Sequence, residues 1–212
     1  MKYNELSPAW QRVFSLGWES LLSGSKAIGA VIVSDTGEII SEGRNKVSEN
    51  QFPNYRVAHA ETEAITNLDL QRYPYPEKYT LYAGLEPCVM CFGTMIMGHV
   101  RNIIIAARDG HGGAMELNSA TEFIRRHPVH IEYAEPMLGY VQRTMQAFRE
   151  LLKTSDISSR EHTLAAISIL HPESVTVAKK LVDNGYIVKA IENNEDYSKI
   201  FDKVVEELEQ VI

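Results

Sequence analysis

The chain has two cysteines, and both fall in one short run, Pro87-Cys88-Val89-Met90-Cys91. His59-Ala60-Glu61 stands upstream of them. Cysteines three apart on a helical turn share a face, so both sulfurs can reach one metal ion. His59 begins a second segment of helical spacing, in which Ala60, Ala64, Ile65 and Leu68 recur on one side. A fold that uses both runs must bring the starts of two helices together. There the positive ends of the helix dipoles favour thiolates and a bound hydroxide. His59, Cys88 and Cys91 form a zinc-type ligand set of three. Three protein ligands leave a fourth tetrahedral position for water or hydroxide, the pattern of a catalytic rather than a structural zinc, with one Zn2+ per chain. Glu61, left off the metal, is placed to take the proton of that water and return it. The competing reading is a structural site completed by His99, His111, His127 or His130.

The rest of the composition narrows the class. Hydrophobic residues make up 44% of 212, enough for a sizeable core. No apolar run approaches the roughly 18 residues of a membrane span, so no membrane is expected among its partners. The first residues, Met1-Lys2-Tyr3-Asn4-Glu5, have no apolar stretch of the secretory kind, and a cytoplasmic location is expected. The net charge of −7 is uneven. From Ser155 onward the chain carries eleven acidic and six basic residues, while the part before it is close to neutral. Strong nucleic-acid binding needs clustered Lys and Arg, and the body's single basic pair is Arg125-Arg126.

Periodicity and punctuation predict the element order. Ser7-Pro8 opens a helix to about Leu22. Strands are expected from Ala27 to Ser34 and Glu38 to Glu42, around the Asp35-Thr36-Gly37 turn, before a long polar loop over 46–57. A helix is expected from His59 to Leu68, a strand from Tyr79 to Gly84, a helix from Cys88 to Gly98 and a strand from Asn102 to Ala107. Ser119-Ala120-Thr121-Glu122 has a capping-box pattern for a short helix. A strand from Val129 to Tyr133 and a helix from Pro136 to Lys153 complete the body. Five strands among helices predict an α/β fold with a mixed sheet covered on both faces.

We therefore expect a body over residues 1–154 and an acidic C-terminal extension, helical or α/β, over 155–212. In the extension, Ser158-Ser159-Arg160-Glu161 offers a cap and Thr163 to Leu170 fits helix or strand. Pro172 to Asn184 reads as a helix closed by Gly185, Tyr186 to Ile191 as a strand, and Asn194 to Val211 as a helix. The extension is too small to be stable alone and is expected to dock on the body or on a partner subunit.

Gly29-Ala30-Val31, Gly43-Arg44-Asn45, His59-Ala60-Glu61, Leu85-Glu86-Pro87-Cys88-Val89-Met90-Cys91, Gly93, Met95-Ile96 and Ala107-Arg108-Asp109 together resemble the cytidine and deoxycytidylate deaminase superfamily. Within it the chain is most similar to the branch of tRNA adenosine deaminases and guanine deaminases, over roughly residues 8–153. The resemblance implies a three-layer α/β/α sandwich with a five-stranded sheet, and a homodimer. It implies that His59, Cys88 and Cys91 hold zinc and that Glu61 shuttles protons. Asn45 would bind the base edge, Ala60 and Cys88 would offer backbone N–H groups, Asp109 would contact substrate, and Val31 would wall the pocket. The chain departs from the pattern in the loop carrying Phe52, Pro53, Asn54, Tyr55 and Arg56, which would be a lid or plain surface. It departs again at Asp109-Gly110-His111-Gly112-Gly113, at the end of the helix, Phe148-Arg149-Glu150-Leu151-Leu152, which lacks a basic cluster, and in the acidic extension.

The expected function is zinc-dependent hydrolytic deamination of a nucleobase or nucleoside, a purine such as adenine, adenosine or guanine, with release of ammonia. Alternatives are a tRNA-specific adenosine deaminase acting at the wobble position, a cytosine or cytidine deaminase, and a catalytically silent nucleotide-binding or assembly relative. Charge favours a small-molecule partner over tRNA.

Overall fold

The computed structural model describes residues 1–50 and 53–212. Gln51 and Phe52, the latter named above with the long loop, lie outside the described residues. In chain order the elements are α1 (Pro8–Leu22), β1 (Gly29–Val33), β2 (Ile39–Arg44), α2 (Ala60–Thr66), β3 (Thr80–Leu85), α3 (Val89–Met97) and β4 (Asn102–Ala107). Then come α4 (Glu122–Arg126), β5 (His130–Tyr133), α5 (Pro136–Leu152), α6 (Ile157–Leu170), α7 (Pro172–Asp183), α8 (Tyr186–Glu192) and α9 (Tyr197–Leu208).

The strands form one mixed sheet in the order β2-β1-β3-β4-β5. β1 pairs antiparallel with β2 and β3, whereas β3, β4 and β5 run parallel through helical crossovers. The registers put Ile32, Leu81, Ile103 and Ile131 in one row across the sheet. Alternation along each strand then divides the sheet's two faces. Ala30, Ile32, Leu81, Ala83, Ile103 and Ile105 pack with α2 and α3. Val31, Val33 and Ala106 pack with α1 and α5. This is the expected α/β/α sandwich.

Local chemistry explains the element ends. The Ser7 hydroxyl caps α1 by accepting from Trp10 N–H, and Pro8 takes the first helical position. Thr121, not Ser119, caps α4, because its hydroxyl accepts from Ile124 N–H. Asp156 caps α6, ahead of the Ser158-Ser159 pair.

The extension is helical throughout. Tyr186 to Ile191, expected as a strand, lies within α8. Gly185 takes a left-handed φ of 77° and starts a new helical turn there. Ile187 and Ala190, three apart, then both point into the core. Thr163 to Leu170 is likewise helix. Side chains of α6, α7, α8 and α9 join α1, α5 and the sheet in one hydrophobic cluster. Phe201 of α9 sits edge-on to Phe14 of α1 at 5.5 Å, and Trp18 stacks on Tyr197 at 5.7 Å. No helix among the described residues is long and apolar enough to cross a membrane.

Candidate metal centre and its surroundings

The first turn of α2 and the first turn of α3 meet. His59 is the N-cap residue of α2 and Cys88 that of α3. Neither side chain caps its own helix. They turn instead toward each other and toward Cys91, one turn into α3. His59 Nδ1 lies 3.6 Å from Cys88 Sγ and 3.5 Å from Cys91 Sγ, and the two sulfurs are 3.6 Å apart. Tetrahedral zinc, with bonds of about 2.0–2.3 Å, holds its donor atoms about 3.5–3.8 Å apart. One nitrogen and two sulfurs in a triangle of this size therefore fit a single zinc ion. Among the described residues, His59, Cys88 and Cys91 are the one group of three that could hold a metal. His99, His111, His127 and His130 do not join it, so the described residues supply three protein ligands.

The electrostatics suit a cation. Contacts with Cys91 and His59 hold the Cys88 thiol far below its ordinary range, at about 3. Contact with Cys88 and deep burial push the Cys91 thiol up. Glu61, two residues after His59 in the first turn of α2, is 4% exposed, and burial raises its carboxyl above the ordinary value while His59 opposes the rise. It faces the triangle without belonging to it.

β2 fixes α2 in place. A Cβ at Gly43 would stand 2.3 Å from Ala60 O and 2.5 Å from Ala64 N, so only a glycine allows this approach. Ser41 donates its hydroxyl to Ala64 O at 2.6 Å, and Arg44 N–H donates to Glu63 at 2.8 Å. Lys46 N–H donates to Ala58 O at 2.9 Å, and the Lys46 ammonium pairs with Glu63. Asn45 therefore leaves β2 against the segment that ends in His59. Its Oδ1 accepts from Val47 N–H, while its buried Nδ2 has no partner among the described residues. Ala60, fully buried, starts α2.

The loop after β4 is held beside α3. Ala114 N–H donates to Pro87 O at 3.0 Å, and the Glu86 carboxylate accepts from Asp109 N–H and Met115 N–H. Asp109 turns its own loop by accepting from His111 N–H, and pairs with Arg143 of α5 at 3.3 Å. Val31, expected as a pocket wall, is a correction. It faces α1 and α5 in the opposite layer, because Ala30 and Ile32 take the two positions of β1 that face α2. Sequence reasoning missed Glu86 as the organiser of the loop and Arg143 as the partner of Asp109. Arg143 is 34 residues from Asp109 along the chain, with no local pattern tying the two.

Comparison with known proteins agrees with this geometry. Residues 10–107 match the family described as the cytidine and deoxycytidylate deaminase zinc-binding region. The chain is 37% identical over 113 residues to a tRNA-specific adenosine deaminase of Aquifex aeolicus, covering 52% of this chain and 72% of that protein. It is 36% identical over 94 residues to the tRNA-specific adenosine deaminase of Haemophilus influenzae, covering 43% and 52%. Among solved structures, a tRNA:A34 deaminase superposes with a TM-score of 0.51 at 24% identity, over 59% of this chain and 96% of that one. A guanine deaminase from Nitrosomonas europaea gives 0.50 at 20% identity, over 67% and 86%. At these identities the two structures speak for the fold.

Proposed function

This chain belongs to the cytidine and deoxycytidylate deaminase family, in the branch of the tRNA adenosine deaminases, and is a zinc-dependent hydrolytic deaminase; from that premise we propose that it removes the amino group of a purine nucleobase or nucleoside. The observation that carries this reading is a buried carboxylate, Glu61, facing a His-Cys-Cys triangle of zinc dimensions. Zinc, when bound there, supplies a water acid enough to act as a nucleophile at neutral pH.

The chain's own groups do the rest. Glu61 carries two protons in turn, one from the attacking water to the ring nitrogen and a second from the added hydroxyl to the amine that leaves as ammonia. Asn45 offers its Nδ2–H to an acceptor on the base edge. The backbone N–H groups of Ala60 and Cys88 hold the base beside the metal. Asp109, steadied by Arg143, sits at the rim and orients the remainder of the substrate. Metal binding requires reduced thiols, which fits a cytoplasmic enzyme.

Ammonia release across adenine, adenosine, guanine, guanosine, cytosine, cytidine and an anticodon stem-loop tests the proposal. Turnover of a purine base or nucleoside is expected, and turnover confined to cytosine and cytidine would refute it. The names of the curated relatives favour a second reading, deamination of adenosine in tRNA, and the stem-loop decides between the two.

We also propose a homodimer. Val89 and Met97 of α3 are 66% and 70% exposed. They share one helical face with Gly93, beside which there is open space. A Met97→Glu, Val89→Glu double variant is expected to sediment as a monomer while the wild type sediments as a dimer. A wild-type monomer would refute the assignment.

A further inference from the structure

A cavity of about 220 Å³ lies between α6 of the extension and the body, apart from the metal ligands but against the segments that carry them. Ala27 and Leu85 line it. Ile28 O, next to Ala27, accepts from Asn45 N–H, and Leu85 is three residues before Cys88. From α6 come His162, Thr163 and Ala166. The helix is seated on the loop after β4. The His162 ring meets His111 edge-on at 5.2 Å, and a Cβ on Gly110 would touch Leu170 at 3.2 Å.

The charge of this cavity runs against that of the chain. Three basic side chains, Lys26, Arg143 and Arg149, line it with two acidic ones, Asp109 and Glu150. Both acids are already paired, Asp109 with Arg143 at 3.3 Å and Glu150 with Arg149 at 2.8 Å and Lys153 at 2.6 Å. The Lys26 ammonium, by contrast, has no hydrogen bond or ion pair among the described residues. Its charge acts on Glu150 across the cavity. Gln146 accepts from Arg143 through Oε1, which leaves its N–H groups for a ligand. Unspent donors on Lys26, Gln146 and His162 thus line one small space in a chain of net charge −7. An anion bearing several acceptor oxygens satisfies them, and a sugar phosphate is of a size to fit.

We propose that this cavity is the subsite for the 5′-phosphate and ribose of a free mononucleotide, so that α6 makes the enzyme a deaminase of nucleoside monophosphates. The proposal rests on the deaminase reading and narrows its substrate. It is tested on the full-length, zinc-loaded protein. Ribose 5-phosphate, which has no amino group to lose, is titrated by calorimetry. Ammonia release is then compared among each base, its nucleoside, its 5′-monophosphate and an anticodon stem-loop.

Ribose 5-phosphate is expected to bind, and the monophosphate to exceed its nucleoside at least tenfold in kcat/KM. Lys26→Met and His162→Ala are each expected to weaken ribose 5-phosphate binding about tenfold, the scale of a charged hydrogen bond, and to lower the monophosphate-to-nucleoside ratio with zinc content unchanged. Equal turnover of nucleoside and monophosphate, no binding of ribose 5-phosphate, or reaction of the stem-loop alone would each overturn the subsite. An equal loss on nucleoside and monophosphate in Lys26→Met would do the same. Bound ribose 5-phosphate with no ammonia from any compound would instead remove the deaminase reading and leave the anion site standing.

Discussion

Glu61→Gln is expected to keep its zinc and lose about 10²–10⁴-fold in turnover, the range by which a positioned acid–base group accelerates proton transfer. The substitution is nearly isosteric. Gln retains the shape of the side chain and its ability to hydrogen-bond, but it cannot take up a proton and give it back. Because Glu61 stands outside the His59, Cys88 and Cys91 triangle, metal analysis should still find one zinc per chain. Stability should not fall, since a buried carboxylate carries a desolvation cost that a neutral amide escapes. Turnover within tenfold of wild type, on zinc-replete protein, would remove Glu61 from the proton path. Loss of zinc together with activity would make it part of the metal site.

Phe201→Ala is expected to destabilise the whole protein, not the extension alone. Phe201 is fully buried and meets Phe14, Tyr3 and Tyr197 edge-on at 5.5, 5.6 and 6.3 Å. Phe14 belongs to the first helix of the body and Phe201 to the last helix of the extension, so the contact joins the two ends of the chain. Removing a buried Phe costs about 3–5 kcal/mol. In a chain of this length that corresponds to roughly 6–20 °C in Tm. A single cooperative transition at lower temperature, followed by far-UV circular dichroism, is the expected result. A loss below about 1 kcal/mol, or a separate early transition, would mean that residues 155–212 fold apart from the body. Their docking as an integral part of the structure is the reading this variant tests.

The body was legible in the sequence because its local signals agree. Pro8, Gly24, the Asp35-Thr36-Gly37 turn and Pro136 mark boundaries, and the Ile103-Ile104-Ile105 run suits a buried parallel strand. The metal triangle was legible for a different reason. Its chemistry demands particular atoms, and two short motifs supply them. What stayed hidden was non-local. Tyr186-Ile187-Val188 has strand-forming side chains, yet Gly185 and the packing of Ile187 and Ala190 against the helical layer make it a helix. Val31 lies in a strand buried on both faces, and burial alone does not say which face a residue takes. The tie between Asp109 and Arg143 spans 34 residues of the body, and the wall that α6 lends to the cavity beside them arises only once the extension is folded against the body.

The contact at Gly43 sets how disturbance travels through this molecule. There β2 and α2 meet backbone to backbone, with no side chain between them. Elsewhere the spacing of a helix over a sheet depends on the bulk of the residues sandwiched there, and it drifts as they are exchanged. Here main-chain atoms act as a fixed spacer at the turn that bears His59 and Glu61. Trimming Ile32 or Leu81 beneath α2 would therefore draw on stability while leaving the placement of His59 and Glu61 almost unaltered. The placement of His59 and Glu61 is insulated from remodelling of its own foundations, and the insulation depends on one residue without a side chain.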